Sequence, residues 1–329
     1  MIGWMFARVT PAFRLPGALG TPGMLVLALM LAAPAAAAEK NFGDIRFVTV
    51  GPSLTMLPTE VVIAKGFDKD EGFRAVLTRS VGAIGIKALI AGDFDISMSA
   101  GSALAAAVRG APVKIVYVHV AKPLYFLYAR AGIDNLKGLE GARIGVDAVG
   151  GSQDVAVRLA MQGAGADPGK VIFMGMGFPA IPGALIATAV DAGVISPPLQ
   201  FQLAKSDKTF TDLGFLGDLI PSVSGGLATS DKMIRDRPDA VRAVLRAHRR
   251  AHRFILEDRE QVLPIMAKFM NLSPDEAAST YDMVMAQFNK TGVVPVDKQR
   301  EMVAEQVATL KVASAPPLEA LFDFSFIGP

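Results

Sequence analysis

KALIAGDFDISMSAGSALAAAVRGAPVKIVYV, residues 87–118, is the stretch whose reading decides the fold. Its apolar positions change period three times. Residues 81–91 carry helical spacing and stop at Gly92, where a left-handed residue commonly ends a helix. Residues 94–98 form a short apolar run that reads as a buried strand, and 102–109 read as a second helix, stopped by Gly110. Residues 114–120 (KIVYVHV) return to β character. Helix, strand, helix, strand in so few residues is the alternation of an α/β fold with mainly parallel sheets.

Part of this stretch recurs. Ala88-Leu89-Ile90-Ala91 has Asp95 at its seventh following position, and Ala184-Leu185-Ile186-Ala187 has Asp191 at the same offset, 96 residues later. Each copy lies in a helix-to-strand passage, ending at Ser97 or Ser196. Working outward, 45–50 reads as a strand, 58–64 as a helix ended at Gly66, and 124–129 as a strand after Lys122-Pro123. Proline cannot donate to a sheet ladder, so that dipeptide marks a crossing point. Strands at 142–146, 171–174, 191–195 and 212–216 then alternate with helices at 152–162, 180–188 and 198–205. After Gly225-Gly226 and a short β run the tail is helical, at 238–257, 260–270, 274–289 and 296–310, and 315–329 reads as an extended strap. The recurrence predicts two similar α/β lobes, the first completed by chain returning after residue 225.

The chain has 329 residues, with Lys+Arg 33 against Asp+Glu 31, and 19% of it is charged. Such a length favours two lobes or one large α/β unit. The near-neutral charge disfavours a nucleic-acid partner. Cysteine is absent, which removes disulfide scaffolds, thiolate metal sites and cysteine nucleophiles. Residues 1–38 read as a signal peptide: Arg8 and Arg14 are the only charges before Glu39, an apolar core of about ten residues follows, and Ala36-Ala37-Ala38 suits the peptidase. That core is about half the roughly 20 residues of a membrane span. The expectation is export to the periplasm as a mature protein that is not membrane-embedded, neutral by formal count and without Trp4, the only tryptophan.

In open α/β sheets ligands bind beyond the carboxyl ends of the strands, where loops lead into helix N-termini. Four loops there pair hydroxyls with glycine or proline: Gly51-Pro52-Ser53-Leu54-Thr55, Ser99-Ala100-Gly101-Ser102, Gly150-Gly151-Ser152-Gln153 and Ser196-Pro197-Pro198. The candidate ligand-binding residues are Ser53, Leu54, Ser99, Ala100, Gly101, Ser102, Gly150, Gly151, Ser152, Gln153, Ser196 and Pro197. Tyr125 and Phe178 join them as rings able to cover a solute. Catalytic constellations are not found. His119, inside KIVYVHV, reads as a core residue. His248 and His252 share a helix face but lack the glutamate of a zinc-protease motif. Four neighbouring arginines would repel a cation, so they read as a solvated face. No catalytic residue, metal or cofactor is assigned.

On these residues the chain resembles the periplasmic solute-binding proteins of ABC importers, in the nitrate, sulfonate, taurine and thiamine-precursor group. KGFDKDEGF (65–73), the 87–118 stretch, LKGLEGARIGV (136–146), GADPGKVIF (165–173) and ALIATAVDAGVISPP (184–198) carry the likeness over nearly all of the mature chain. The resemblance implies a type II periplasmic-binding-protein fold, two α/β lobes with a ligand cleft between them. Lobe 1 would comprise 39–121 plus 225–329 and lobe 2 122–224, with hinges near Lys122-Pro123 and 220–226. It implies a receptor that captures a small anionic organic solute, a sulfonate or carboxylate, by closure and delivers it to an inner-membrane permease. The alternatives are an exported enzyme or synthase on the same fold, or a solute-presenting partner of a sensor kinase. A related thiamine-pyrimidine synthase uses a histidine and a cysteine-rich site, which a cysteine-free chain lacks. None of the four loops holds an arginine.

Overall fold

The structure, a computed structural model, describes residues 41–49, 53–80 and 82–328. The signal-peptide reading of 1–38, with Trp4, Arg8 and Arg14, falls outside the described residues, as do Gly51 and Pro52 of the first loop.

The chain runs through β1 (Gly43–Thr49), α1 (Leu57–Ala64), α2 (Phe67–Asp70), β2 (Phe73–Arg79), α3 (Gly82–Ala91), β3 (Ile96–Ser97), α4 (Ala100–Val108) and β4 (Val113–Val120). There follow β5 (Phe126–Arg130), β6 (Arg143–Val146), α5 (Ser152–Gly163), β7 (Ile172–Gly175), α6 (Ile181–Ile186), β8 (Ala192–Ile195), α7 (Gln200–Ala204) and β9 (Phe210–Phe215). Strand β10 (Gly225–Ser230) leads into α8 (Asp231–Asp236), α9 (Pro238–Glu257), α10 (Arg259–Met270), α11 (Pro274–Val284), α12 (Val296–Leu310) and α13 (Leu318–Leu321).

These strands make two five-stranded sheets, in the orders β2-β1-β3-β10-β4 and β7-β6-β8-β5-β9. In each, the first three strands are parallel and the fourth is antiparallel to both its neighbours. The expected α/β architecture with two similar halves is therefore present. The recurring sequence has a mechanical meaning. Asp95 accepts from the Arg46 backbone N (2.8 Å) and from its guanidinium (3.0 Å to each carboxylate oxygen), while Arg46 also donates to Gly92 O. Asp191 accepts in the same way from the backbone N and guanidinium of Arg143, which also donates to Thr188 O. In both sheets one aspartate thus fastens the start of the third strand in the order to the second, β3 to β1 and β8 to β6.

Helices cover both faces. Ile45 and Phe47 of β1 pack with Leu57 and Val61 of α1 and Val244 of α9 on one face of the first sheet. Leu89, Leu104, Ile115 and Met302 pack on the other. In the second sheet Ile144 meets Val157 and Met161 of α5, and Ile181, Leu185 and Leu203 close the opposite face. The solvated reading of His248 and His252 is overturned. They are 0% and 1% exposed, because they share the inner face of α9 with Val241, Val244, Leu245 and Ile255 while the arginines turn outward. His119 is buried as expected and meets them, its ring stacked 5.6 Å from that of His252.

Strand β2 has no counterpart in the sequence reading. It is an edge strand with Arg74, Thr78 and Arg79 exposed, so its apolar run is only the three residues Ala75, Val76 and Leu77. The helix expected over 274–289 stops at Val284, and Met285–Gln287 tighten into a 3-10 turn so that Phe288 can bridge to Val120. The terminal strap holds α13, and Phe322 bridges to Ile115.

Two segments cross between the sheets, after Val120 and after Phe215. Leu216 N donates to Tyr125 O (2.8 Å) and Ser224 N to Val120 O (3.1 Å), so each crossing is braced against the other. Lys122 pairs with Asp218. The close approach of β10 requires Gly226: a Cβ there would stand 2.3 Å from Tyr117 O.

Candidate functional site

Where the carboxyl ends of the two sheets face the crossing segments, the described residues enclose a cavity of about 580 Å³. Size and position suit a small ligand. The first sheet supplies Ser53, Leu54 and Thr55, just beyond β1, in a single 3-10 turn that β1 delivers into α1. The second supplies Phe178, Ser196, Pro197, Pro198 and Leu199 from the loops after β7 and β8. The crossings add Pro123, Leu124, Tyr125 and Ser224, and Met270 closes the wall from the end of α10.

Six of the residues singled out from the sequence therefore lie together: Ser53, Leu54, Tyr125, Phe178, Ser196 and Pro197. Ser152 stands one hydrogen bond behind them, its hydroxyl 2.9 Å from the Tyr125 phenol. The other residues of that loop have internal partners. Gln153 is buried and accepts from Asp147 N (2.8 Å), Gly150 N donates to Asp154 (2.7 Å), and Gly151 N donates to Ala148 O (3.0 Å). Ser99, Ala100, Gly101 and Ser102 open α4 but are not brought into this cavity. Ser99 N donates to the Ser97 hydroxyl, Ala100 is buried in the core, and Ser102 faces outward. Thr55, Pro123, Leu124, Pro198, Leu199, Ser224 and Met270 were not singled out. The prolines and Thr55 sit beside residues that were, whereas Ser224 and Met270 arrive from distant chain and carry no local signal.

Among the described residues the lining holds no charged side chain; its polar side-chain atoms are the hydroxyls of Ser53, Thr55, Tyr125, Ser196 and Ser224. Three of them are held in pairs: Ser53 with Thr55 at 2.8 Å, and Ser224 with Ser222, outside the lining, at 2.9 Å. Burial pushes the Tyr125 phenol above its ordinary pKa, against the lowering effect of its bond to Ser152. Tyr125 is therefore a neutral hydroxyl at physiological pH. Asp147 stands behind the wall and accepts from Phe178 N (3.1 Å), which fixes the loop that carries the phenyl ring. Such a site recognises shape and a small polar head through neutral donors. It presents no paired acid and base, and no group of ligands spaced for a metal occurs among the described residues.

Comparison with known proteins agrees with this geometry. Residues 56–262 match the family model described as NMT1/THI5 like. A search of curated protein sequences returns no match. Among solved structures, a sulfonate ABC transporter periplasmic-binding protein from Methylobacillus flagellatus superposes with a TM-score of 0.69 at 12% identity, over 86% of this chain and 92% of that one. The periplasmic aliphatic sulphonate-binding protein of Escherichia coli gives 0.66 at 18% identity, over 84% and 95%. A zinc-bound ligand-binding component of an ABC-type import system from Staphylococcus aureus gives 0.67 at 15% identity, over 88% and 98%. With a family match over more than half its length and two sheets arranged as in these structures, the chain belongs to the NMT1/THI5-like family and has the periplasmic-binding-protein fold.

Proposed function

We propose that this protein is an extracytoplasmic solute-binding receptor of an ABC importer, capturing a small organic solute with a sulfonate or carboxylate head. The observation that carries this reading is the cavity itself, set at the strand ends of both sheets, lined by hydroxyls and apolar walls, and flanked by two braced crossings. In this reading lobe 1 comprises 39–121 plus 225–329 and lobe 2 122–224. They close about the crossings and deliver the solute to a membrane permease. In this reading residues 1–38 serve as the export signal. No helix among the described residues is long and apolar enough to cross a membrane. The head group is held by neutral hydroxyls and backbone N–H groups, as the uncharged lining requires. The sulfonate-binding proteins of the same fold support the solute class. In this reading a bound solute is released unchanged.

A thermal-shift screen of the mature protein against sulfonates, carboxylates, nitrate and pyrimidines tests the reading. A solute at a hundred times its dissociation constant stabilises by about 2.7 kcal/mol. Tyr125→Phe and Ser196→Ala should each weaken a hit roughly tenfold. Unchanged affinity in both would remove the cavity from consideration, and consumption of the hit would make the protein an enzyme.

A further inference from the structure

A second cavity, of about 780 Å³, lies against the C-terminal half of α9 and shares no lining residue with the first. Its walls are α9, α11, the segment around Lys290 and Thr291, and the tail at Ile327 and Gly328. Leu256, Met285 and Val293 give it an apolar floor, and Arg249, Arg253 and Lys290 give it a cationic rim, with Glu257 as the one carboxylate among the described lining residues.

The arginines of α9 fall into two groups. Arg242, Arg246 and Arg250, on its outer side, pair with Asp239, Glu71 and Asp70. Arg249 donates to the carbonyls of Ile327 and Gly328 and so holds the tail in place as a wall. Arg253 and Lys290, both exposed, form no ion pair with a described residue.

Tyr117 also lines this cavity. It is 1% exposed, yet its hydroxyl makes no hydrogen bond with a described residue. Tyr281, by contrast, spends its hydroxyl on Ile255 O at 2.6 Å. Gly292 passes directly over the Tyr117 ring: a Cβ there would lie 2.3 Å from the carbon bearing the hydroxyl, and its φ of +80° is one that other residues rarely adopt. Any side chain at 292 would displace the phenol from this wall. Burial raises the phenol's pKa, so it remains a donor. The hydroxyl borders the cavity, so a group bound there can supply the partner that the described residues do not.

We propose that this cavity is a second ligand site, binding an amphiphilic organic anion whose carboxylate or sulfonate takes the Tyr117 hydroxyl and the field of Arg253 and Lys290. The apolar body of the anion lies on Leu256, Met285 and Val293. Rim charges on a half-open site add modestly to affinity each, whereas the directional hydroxyl fixes the head group.

Calorimetric titration with sodium octanoate decides it, with octyltrimethylammonium as the control of opposite sign. Octanoate should bind at sub-millimolar concentration and the cation should not. Tyr117→Phe, and separately the surface pair R253Q/K290Q, should each weaken octanoate roughly tenfold. Tyr125→Phe, in the other cavity, should leave it unchanged. No heat at millimolar octanoate, equal binding of the cation, affinity unmoved by R253Q/K290Q, or loss on Tyr125→Phe would each overturn the proposal. R253Q/K290Q is at exposed positions, so the test does not depend on whether Tyr117→Phe keeps the core intact.

Discussion

The two sheets share a strand plan and an aspartate clamp, but differ in what surrounds them. Asp95 has a side chain 8% exposed, with Arg237 as a more distant second cation at 3.7 Å. Asp191 is 15% exposed and takes Arg130 as a second partner at 2.9 Å. Arg130 is the last residue of β5, whereas Arg237 lies beyond β10, at the end of α8. The first sheet additionally carries α9 to α12 and three buried histidines, whereas one of the two clusters that cover the second sheet is small, around Ile181, Leu185 and Leu203. What stays constant between the halves fastens strand to strand. What varies, at the loops and in the core, is where ligand chemistry and pH sensitivity enter.

The largest expected difference is in acid. Burial drives His248 and His252 down to about 4 and His119 well below its ordinary value, against 6.5 for an exposed histidine. The folded pKa is depressed, so the unfolded chain binds more protons between pH 6.5 and 4. Stability is therefore complete above pH 6.5 and is lost as pH falls through 4, by on the order of 3 kcal/mol for each of His248 and His252, with His119 adding in the same direction. Urea midpoints across that window should fall for the whole protein, while hydrogen exchange should show β6 and β8 holding longer than β4. Equal loss in both halves would contradict the placement of this sensitivity.

Next come the paired leucines of the recurring sequence, both fully buried. Leu89→Ala should cost about 4 kcal/mol and Leu185→Ala about 3, because the smaller cluster around Leu185 can collapse further. Denaturant unfolding measures both, and the reverse order would mean that cluster size does not govern relaxation here. The clamps themselves come last. Asp95→Ala should cost about 3 kcal/mol and Asp191→Ala about 2, discounted because the arginines are 40 to 47% exposed and can turn to solvent. Equal costs would show that burial of the aspartate does not matter to the clamp.

Legibility in the sequence followed periodicity. Helices α9 and α12 have the bounds that 3.6-residue spacing gives, and α1, α3 and α4 stop near the left-handed Gly66, Gly92 and Gly110. Strand β2 was not legible because its exposed edge carries polar residues. The histidines were misread because four arginines nearby drew attention from the 3.6-residue phase, which puts 248 and 252 with Val244 and Ile255. Six cavity residues were legible since strand-end loops can be located in one dimension. Met270 was not: only the packing of α10 brings it to the cavity.

The strand order also dictates a sequence of events during synthesis. In the second sheet every strand lies within residues 126–215, so it can assemble from contiguous chain. In the first, β3 and β4 do not pair with each other; β10 stands between them. Until residues 225–230 leave the ribosome, β4 has no neighbour in its own sheet and is an open edge of eight largely apolar residues. The second half of the molecule therefore completes its sheet before the first, although its chain is made later, and β4 is the segment a chaperone or a misfolding partner would meet in the interval.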